Sequence, residues 1–180
     1  MSFVQLIDKK FDLFISEKEI LNGIKKVSKK MNEELKGKQP LFICVLNGAF
    51  MFASELIGRF EHDCEVTFIR FKSYTGTKRS NNTVNKTYDL EVDITNRNVV
   101  VVEDIIDTGY TMDYLLKSLQ QKQPLSIRIA SLLFKPDALE VSISPDYVVK
   151  EIPNNFVVGF GLDYNQRGRN LRDIYQLKTD

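Results

Sequence analysis

The sequence is poor in the residue types that build metal clusters and disulfide frameworks. Its 180 residues include two cysteines, one histidine and no tryptophan. Such a small set of Cys and His residues argues against a zinc site. Cys44 and Cys64 both lie in apolar, strand-like runs, so we expect reduced thiols and a cytoplasmic protein. His62 stands between Glu61 and Asp63 and is expected at the surface.

The sequence also lacks a dominant charge and any long apolar run. Its 25 basic and 24 acidic residues leave a formal net charge of +1. This balance offers no electrostatic footprint for nucleic acid or for an anionic membrane. No apolar run approaches the roughly 20 residues that cross a bilayer. With 43% apolar and 27% charged residues, the chain has ordinary globular composition, and its length predicts one domain over residues 1–180.

Helix and strand signals alternate along the chain. Ser16 and Glu19 form a capping-box pattern, and apolar residues then recur at helical spacing until Gly37. A second, shorter helix is predicted near residues 50–57. Strands are predicted at residues 41–46, 64–71, 98–103, 127–134, 147–152 and 156–162. This alternation predicts an α/β fold with a mostly parallel sheet flanked by helices.

The segment VVVVEDIIDTGYTM at residues 99–112 carries the strongest functional signal. Four consecutive valines are typical of a parallel strand that is covered on both faces. Glu103 and Asp104 follow, so we expect them to emerge at the carboxyl edge of the sheet, where open α/β folds bind ligands. The apolar spacing of Met112, Leu115 and Leu119 predicts a helix that begins at this edge.

The turn between this strand and this helix has the composition of a phosphate site. It comprises Asp107, Thr108, Gly109, Tyr110 and Thr111. The N–H groups at a helix start, two hydroxyls and a glycine that permits close backbone approach can together hold a dianionic phosphate.

The acids before the turn are suited to a sugar. Carboxylates only accept hydrogen bonds, and the vicinal hydroxyls of ribose are two donors, so Glu103 and Asp104 are predicted to bind that diol. Their negative charge would also favour an oxocarbenium-like transition state at the anomeric carbon. The plain alternative is a strand that ends in a solvated acidic turn.

This segment resembles the phosphoribosyl pyrophosphate motif of type I phosphoribosyltransferases. Further matches at residues 41–48, 70–74, 130–135 and 151–169 extend the resemblance to the purine branch of that family over nearly the whole chain. The resemblance implies a parallel sheet with a small hood formed by the chain ends. It also implies magnesium-dependent transfer of a 5-phosphoribosyl group to N9 of hypoxanthine or guanine, with Asp107 as the acid–base residue. Relatives are homodimers or homotetramers.

The resemblance assigns the pyrophosphate to two places. Leu46, Asn47 and Gly48 match a turn that binds pyrophosphate through backbone N–H groups, often with a non-proline cis peptide. Asn47 stands where many relatives have lysine, which leaves only the backbone contacts. Arg169 matches a second pyrophosphate contact. Taken alone, it is an exposed arginine.

Residues 73–87 break the alternating pattern and are polar, rich in Asn and Thr. From composition alone, this stretch is equally well a loose hairpin loop or a functional lid. Ser73 and Tyr74 match a Ser-Tyr pair in the mobile loop of the family. The resemblance therefore implies a lid that excludes water from the reacting centre.

The last third of the chain matches the purine site. Lys135 has three donors and no acceptor, so in a pocket it would select a 6-oxo over a 6-amino purine. Phe156 matches the residue that stacks on the base, and the backbone of Val157 matches a contact to the base edge. Asp163 matches a magnesium ligand. Glu103 and Asp104 are the other candidates for contact with the metal.

Two alternatives remain at this point. One is a phosphoribosyltransferase for another base, such as xanthine or a pyrimidine. The other is a regulator on the same fold that binds nucleotide or RNA without turnover. The balanced charge and the acids Glu103, Asp104 and Asp107 argue against the regulator.

Overall fold

The computed structural model describes residues 2–73, 86–87 and 90–178, with backbone only for residues 72, 73, 86 and 87. The helices are α1 (Glu17–Glu34), α2 (Phe50–Ile57) and α3 (Tyr110–Gln120), with a 3₁₀ turn at Pro136–Ala138. The strands are β1 (Phe3–Leu6), β2 (Lys9–Ile15), β3 (Leu41–Leu46), β4 (Glu65–Arg70), β5 (Lys72–Ser73), β6 (Lys86–Thr87), β7 (Asn98–Ile106), β8 (Ser126–Phe134), β9 (Tyr147–Glu151), β10 (Val157–Val158) and β11 (Ile174–Leu177).

A five-stranded parallel sheet forms the centre of the fold, with the order β4-β3-β7-β8-β9. Both faces of this sheet are covered, as the valine run predicts. Val99 and Val101 belong to the core that includes the apolar face of α3. Val100 and Val102 belong to the core on the other side, which includes α1 and α2. The predicted fold class is therefore confirmed.

Helix α1 begins as the sequence predicts. The Ser16 hydroxyl accepts from the Glu19 N–H, and the Glu19 carboxylate accepts from the Ser16 N–H, which completes the capping box. Its buried side chains are Ile20, Ile24, Val27, Ser28 and Met31. The helix ends at Glu34 with Leu35 as its C-cap, and Gly37 follows with a φ of +73°.

A polar cluster links the end of α1 to strands β8 and β9. The Tyr147 hydroxyl donates to Glu34 at 2.9 Å, and Arg128 donates both to that hydroxyl, at 2.8 Å, and to Glu34. The hydrogen bond from Tyr147 is the main cause that lowers the pKa of Glu34. Burial and the same hydrogen bond raise the pKa of Tyr147.

The hood is a separate antiparallel sheet with the order β1-β2-β11-β10. It unites both chain ends, and Phe11, Val158 and Tyr175 form its buried centre. Strands β1, β2 and β11 were not predicted. The β1–β2 connection is the two-residue turn Ile7-Asp8 rather than an Asn-Gly or Asp-Gly pair, and β11 pairs with a strand far away in the sequence.

The strand predicted at residues 156–162 is reduced to β10. Gly159 and Gly161 follow it with φ values of +100° and +102°, which turn the chain out of the sheet. Asp163 consequently lies in a loop and not at a strand end, as the sequence analysis had placed it.

The predicted lid lies largely outside the described residues. β5 and β6 pair in an antiparallel ladder at its two ends. Tyr74 lies outside the described residues, as does the side chain of Ser73. Within the described part of the chain, no helix has the length and apolar character needed to cross a membrane.

Candidate active site

Three of the predicted site residues follow the carboxyl ends of neighbouring parallel strands. Asn47 follows β3, Asp107 follows β7 and Lys135 follows β8. Because these strands are parallel and adjacent, their ends meet at one edge of the sheet. The fold thus brings three segments that are far apart in sequence to one place.

The acids Glu103 and Asp104 lie inside β7 and not beyond it. The strand continues to Ile106, because its pairing with β8 extends from Glu103 opposite Ser131 to Ile106 opposite Phe134. Successive residues of a strand point to opposite faces. Glu103, which is 9% exposed, lines a small cavity beside α3, whereas Asp104 lies against Gly48.

The cavity at the start of α3 has about 160 Å³ and is lined by Glu103 together with Asp107, Thr108 and Thr111. Gly109 is the N-cap of α3 and has a φ of +86°, so the turn requires the freedom of glycine. The first N–H groups of a helix lack intrahelical partners. The cavity therefore has the size, the hydroxyls and the backbone polarity expected of a phosphate site.

A neighbouring loop holds this turn in place. The Glu140 N–H donates to the Thr108 carbonyl at 3.0 Å, and the Tyr110 hydroxyl donates to the Glu140 carboxylate at 2.8 Å. That second hydrogen bond is the main cause that raises the pKa of Tyr110. A methyl group at Gly109 would lie 2.7 Å from Val141, so the loop packs directly on the turn.

Lys135 is buried and faces Asp107. It is 5% exposed, although a lysine that follows a strand is usually solvated. Its Nζ lies 2.7 Å from Asp107 Oδ2 and 3.3 Å from Asn154 Oδ1. The Asp107 side chain is 47% exposed, so its carboxylate is open to an incoming molecule. A half-exposed acid and a buried ammonium therefore lie together beside the cavity at the start of α3.

The turn after β3 packs tightly on its neighbours. The Leu46–Asn47 peptide bond is cis. A methyl group at Gly48 would lie 1.6 Å from Asp104 Oδ2, and one at Gly161 would lie 2.0 Å from the Gly48 carbonyl oxygen. The turn is therefore packed between β7 on one side and the hood on the other.

Asp163 and Arg169 form an ion pair next to this turn. Their side chains are 2.6 Å apart, and Arg169 also donates to the Gly161 carbonyl at 2.8 Å. The Gln166 N–H donates to the second oxygen of Asp163 at 2.7 Å. Since Gly161 contacts Gly48, this ion pair lies near the predicted pyrophosphate turn.

The hood presents Phe156 beside the turn that carries Asn154. The Phe156 ring is 48% exposed, and its centroid lies 6.3 Å from that of Phe11 and 6.1 Å from that of Tyr164. Val157, the next residue, is buried in β10. An aromatic ring supported on one side and open on the other can stack on a planar ligand.

Comparison with known proteins decides the family. The family model for the phosphoribosyl transferase domain matches residues 16–165. The chain belongs to the phosphoribosyl transferase family. It is 38% identical over 168 residues to a hypoxanthine-guanine phosphoribosyltransferase of Streptococcus thermophilus, covering 93% of each protein. It is 40% identical over 165 residues to that of Streptococcus mutans, covering 92% of each.

Solved structures agree with the sequence comparison. The fold superposes on a hypoxanthine phosphoribosyltransferase of Staphylococcus aureus with a TM-score of 0.85 and 35% identity, covering 93% of this chain and 91% of that one. This phosphoribosyl transferase is therefore an enzyme whose sheet and hood are those of the family, as the sequence predicts.

Two residues that contact the candidate site were not predicted from the sequence. Asn154 contacts Lys135, and Gly161 packs on Gly48. Neither carries a local signal, because one is an asparagine in a loop and the other a glycine among several turn residues. Only the tertiary structure shows their contacts.

Proposed function

We propose that this chain transfers the 5-phosphoribosyl group of phosphoribosyl pyrophosphate to N9 of hypoxanthine or guanine, as an enzyme of purine salvage. The products would be IMP or GMP and pyrophosphate. The observation that carries the proposal is the contact between Asp107 and the buried Lys135 at the edge of the phosphate cavity. It places Asp107, a proton acceptor, beside Lys135, a donor that would select a 6-oxo group.

The ribose 5-phosphate half of the substrate is assigned to the end of β7 and the start of α3. The 5-phosphate would lie in the cavity, held by the N–H groups of Gly109 and Tyr110 and by the hydroxyls of Thr108 and Thr111. Glu103, at the wall of this cavity, would accept from a ribose hydroxyl, and Asp104 would do so from the other face of the strand.

The purine is assigned to the space between Lys135 and the hood. Lys135 would donate to the 6-oxo group, the Phe156 ring would stack on the base, and the Val157 backbone would contact its edge. The position of Asn154 supports this assignment, because it contacts Lys135 and lies two residues before Phe156. Adenine, which presents a donor at position 6, would leave the third N–H donor of the buried ammonium without an acceptor.

The reaction breaks the bond from C1′ of ribose to pyrophosphate and forms the bond from C1′ to N9. Asp107 would accept the proton that the imidazole part of the purine loses. Its half-exposed carboxylate is within reach of an incoming base. The carboxylates of Glu103 and Asp104 would favour the positive charge that develops at C1′.

The leaving pyrophosphate is assigned to the backbone of Leu46, Asn47 and Gly48 and to Arg169. Magnesium would neutralise and orient it when bound. Within the described residues, no group of three or more His, Cys, Asp or Glu side chains forms a metal cage. This fits magnesium, which is commonly held by one or two carboxylates with substrate phosphates and water. Asp163 is proposed as a ligand, with Glu103 and Asp104 as further candidates.

A homodimer or homotetramer in the cytoplasm completes the proposal. Exposed Val66 and Phe68 on the edge strand β4 offer apolar surface for a second copy. The cysteines Cys44 and Cys64 are both unpaired, which fits a reducing compartment. Burial raises the pKa of Cys44 to about 12, so that thiol is unreactive.

The test is a pyrophosphate-release assay with phosphoribosyl pyrophosphate and magnesium. Hypoxanthine, guanine, xanthine, adenine and uracil are offered separately. We expect turnover with hypoxanthine and guanine and at most weak turnover with adenine and uracil. Turnover with xanthine would widen the specificity. Failure with every base, together with tight binding of nucleotide or RNA, would replace the enzyme by a regulator.

A further inference from the structure

The contacts of Lys135 include one residue that the proposed reaction does not use. An ammonium has three N–H donors. In the described part of the chain, two side-chain oxygens lie within hydrogen-bond distance of Lys135 Nζ, namely Asp107 Oδ2 and Asn154 Oδ1. The orientation of the Asn154 amide follows from this contact, since only its oxygen can accept from an ammonium.

The turn that carries Asn154 is fixed on both sides. The Ile152 N–H donates to the Phe134 carbonyl at 2.9 Å, which ties the turn to the residue before Lys135. The Asn155 N–H donates to the Pro153 carbonyl at 2.7 Å, and its side-chain amide donates to Gln176 at 2.8 Å. The residues on either side of Asn154 therefore tie its turn both to β8 and to the hood.

Two acceptors on separate segments limit the direction of the third donor. Asp107 follows β7, and Asn154 follows β9, so the two oxygens approach the ammonium from different strands. With two of its tetrahedral N–H bonds engaged, the ammonium cannot rotate freely about the Cε–Nζ bond. The third N–H bond then has one direction. Lys135 can select between bases only if this N–H bond points to position 6 of the base.

We propose that Asn154 is a positioning residue that aims the Lys135 ammonium at the 6-oxo group and thereby sets the preference for 6-oxopurines. This inference rests on the proposed function. Asn154 is exposed, so its substitution leaves the core intact. Its role is to hold an oxygen at one point, and a carboxylate oxygen at the same reach performs the same task.

The experiment compares Asn154→Leu, which keeps the size but removes the oxygen, with Asn154→Asp, which keeps the oxygen. For Asn154→Leu we expect the KM for hypoxanthine and guanine to rise by about 10-fold, as for one hydrogen bond to a charged group. The KM for phosphoribosyl pyrophosphate and kcat should change by less than about 3-fold. Asn154→Asp should restore the base KM to within about 3-fold of the wild type. Asn22→Leu, at an exposed position on α1, is the matched control.

Each other outcome overturns the inference. If the wild type turns over but Asn154→Leu has an unchanged KM for both bases, Asn154 does not position Lys135, and the proposed function stands. Equal defects in the Leu and Asp variants would show that the oxygen is not what matters. If the wild type fails with every base, the proposed function fails, and the inference fails with it.

Discussion

Asp107 compensates the free-energy cost of burying the charged Lys135. Burial of an ammonium at 5% exposure is unfavourable unless a partner stands beside it. Asp107 supplies the charge and Asn154 a second acceptor. Because Asp107 itself remains half-exposed, the pair is open on one side. A buried cation whose counterion is accessible is the arrangement expected of a working site.

Replacement of Asp107 by Asn tests its role as proton acceptor. The amide would keep the shape and an oxygen near Lys135 but lose the basicity, so kcat should fall by about 10²- to 10⁴-fold. The melting temperature should also fall, because the buried ammonium of Lys135 loses the charge that compensates it. Steady-state kinetics and a thermal melt check both. Asp137→Asn, at an exposed position of the 3₁₀ turn, is the control, and full activity of Asp107→Asn would contradict the assignment.

Replacement of Lys135 by Ala tests the selection of the base. The variant should lose kcat/KM for hypoxanthine and guanine by about 10- to 100-fold, because it loses a charged hydrogen bond. Its kcat/KM for adenine should fall less, so the preference for 6-oxopurines shrinks. Competition assays with the three bases measure the ratio. Lys150→Ala, which removes a surface lysine, is the comparison, and unchanged guanine kinetics in Lys135→Ala would return Lys135 to a structural role.

At the scale of elements, local signals determined what the sequence could predict. The capping box predicts helix α1, and uninterrupted apolar runs predict the buried strands. The β1–β2 hairpin carries no such signal because its turn, Ile7-Asp8, is not a typical hairpin turn, and β11 carries none because it pairs with β2, which is far away in the sequence. β7 was predicted three residues too short, because its acids are tolerated where the strand meets the site.

The same limit applies to the candidate site. Asp107 and the phosphate turn are contiguous and were predicted as one motif. The contact of Asn154 with Lys135 joins two loops, and the contact of Gly161 with Gly48 joins the hood to the sheet. Pairs of this kind are properties of the tertiary structure, and no periodicity or spacing in one chain encodes them.

The polar cluster of Glu34, Arg128 and Tyr147 predicts that the free energy of unfolding depends on pH. The pKa of Glu34 is lowered in the folded protein, mainly by the Tyr147 hydrogen bond. Near the ordinary pKa of 4.5, the unfolded chain therefore binds more protons than the folded protein. The stabilisation by Glu34 is complete above this pKa and is lost as the pH falls through the lowered pKa of the folded state.

The measurement is denaturant unfolding of the wild type and Glu34→Gln at several values between about pH 7 and about pH 3. The difference in unfolding free energy between the two proteins should be largest at neutral pH and shrink as pH falls. Glu33→Gln, which alters the exposed neighbouring carboxylate, should keep the wild-type dependence. A constant difference between the wild type and Glu34→Gln would show that the Glu34 cluster does not act through its charge.

At the scale of the whole molecule, a contact between two backbones joins the hood to the sheet. Gly161 lies against the carbonyl of Gly48, and Arg169 donates to the carbonyl of Gly161. The hood carries the proposed base-stacking ring, and the sheet carries the proposed phosphate sites. This contact therefore sets the distance between the two halves of the site.

Replacement of Gly161 by Ala tests this contact against a matched control. Gly37→Ala places a methyl at a φ of +73° with no atom within 4 Å, so it measures the backbone cost alone, about 1–2 kcal/mol. Gly161→Ala adds a clash at 2.0 Å with the Gly48 carbonyl, and should cost more than about 3 kcal/mol of unfolding free energy. Its KM for phosphoribosyl pyrophosphate should also rise, whereas that of Gly37→Ala should not. Equal effects of the two substitutions would contradict the contact.

The strand order of the hood has a consequence for the newly made chain. β11 lies between β2 and β10, so the amino-terminal hairpin has an unpaired edge until residues 174–177 have left the ribosome. The strand pairing of the parallel sheet is complete with β9, whereas its core on the α1 side also includes Val157, Phe160 and Ile174 from later in the chain. A nascent chain can therefore pair the strands that carry the surfaces proposed for ribose and 5-phosphate before β11 completes the hood that carries Phe156.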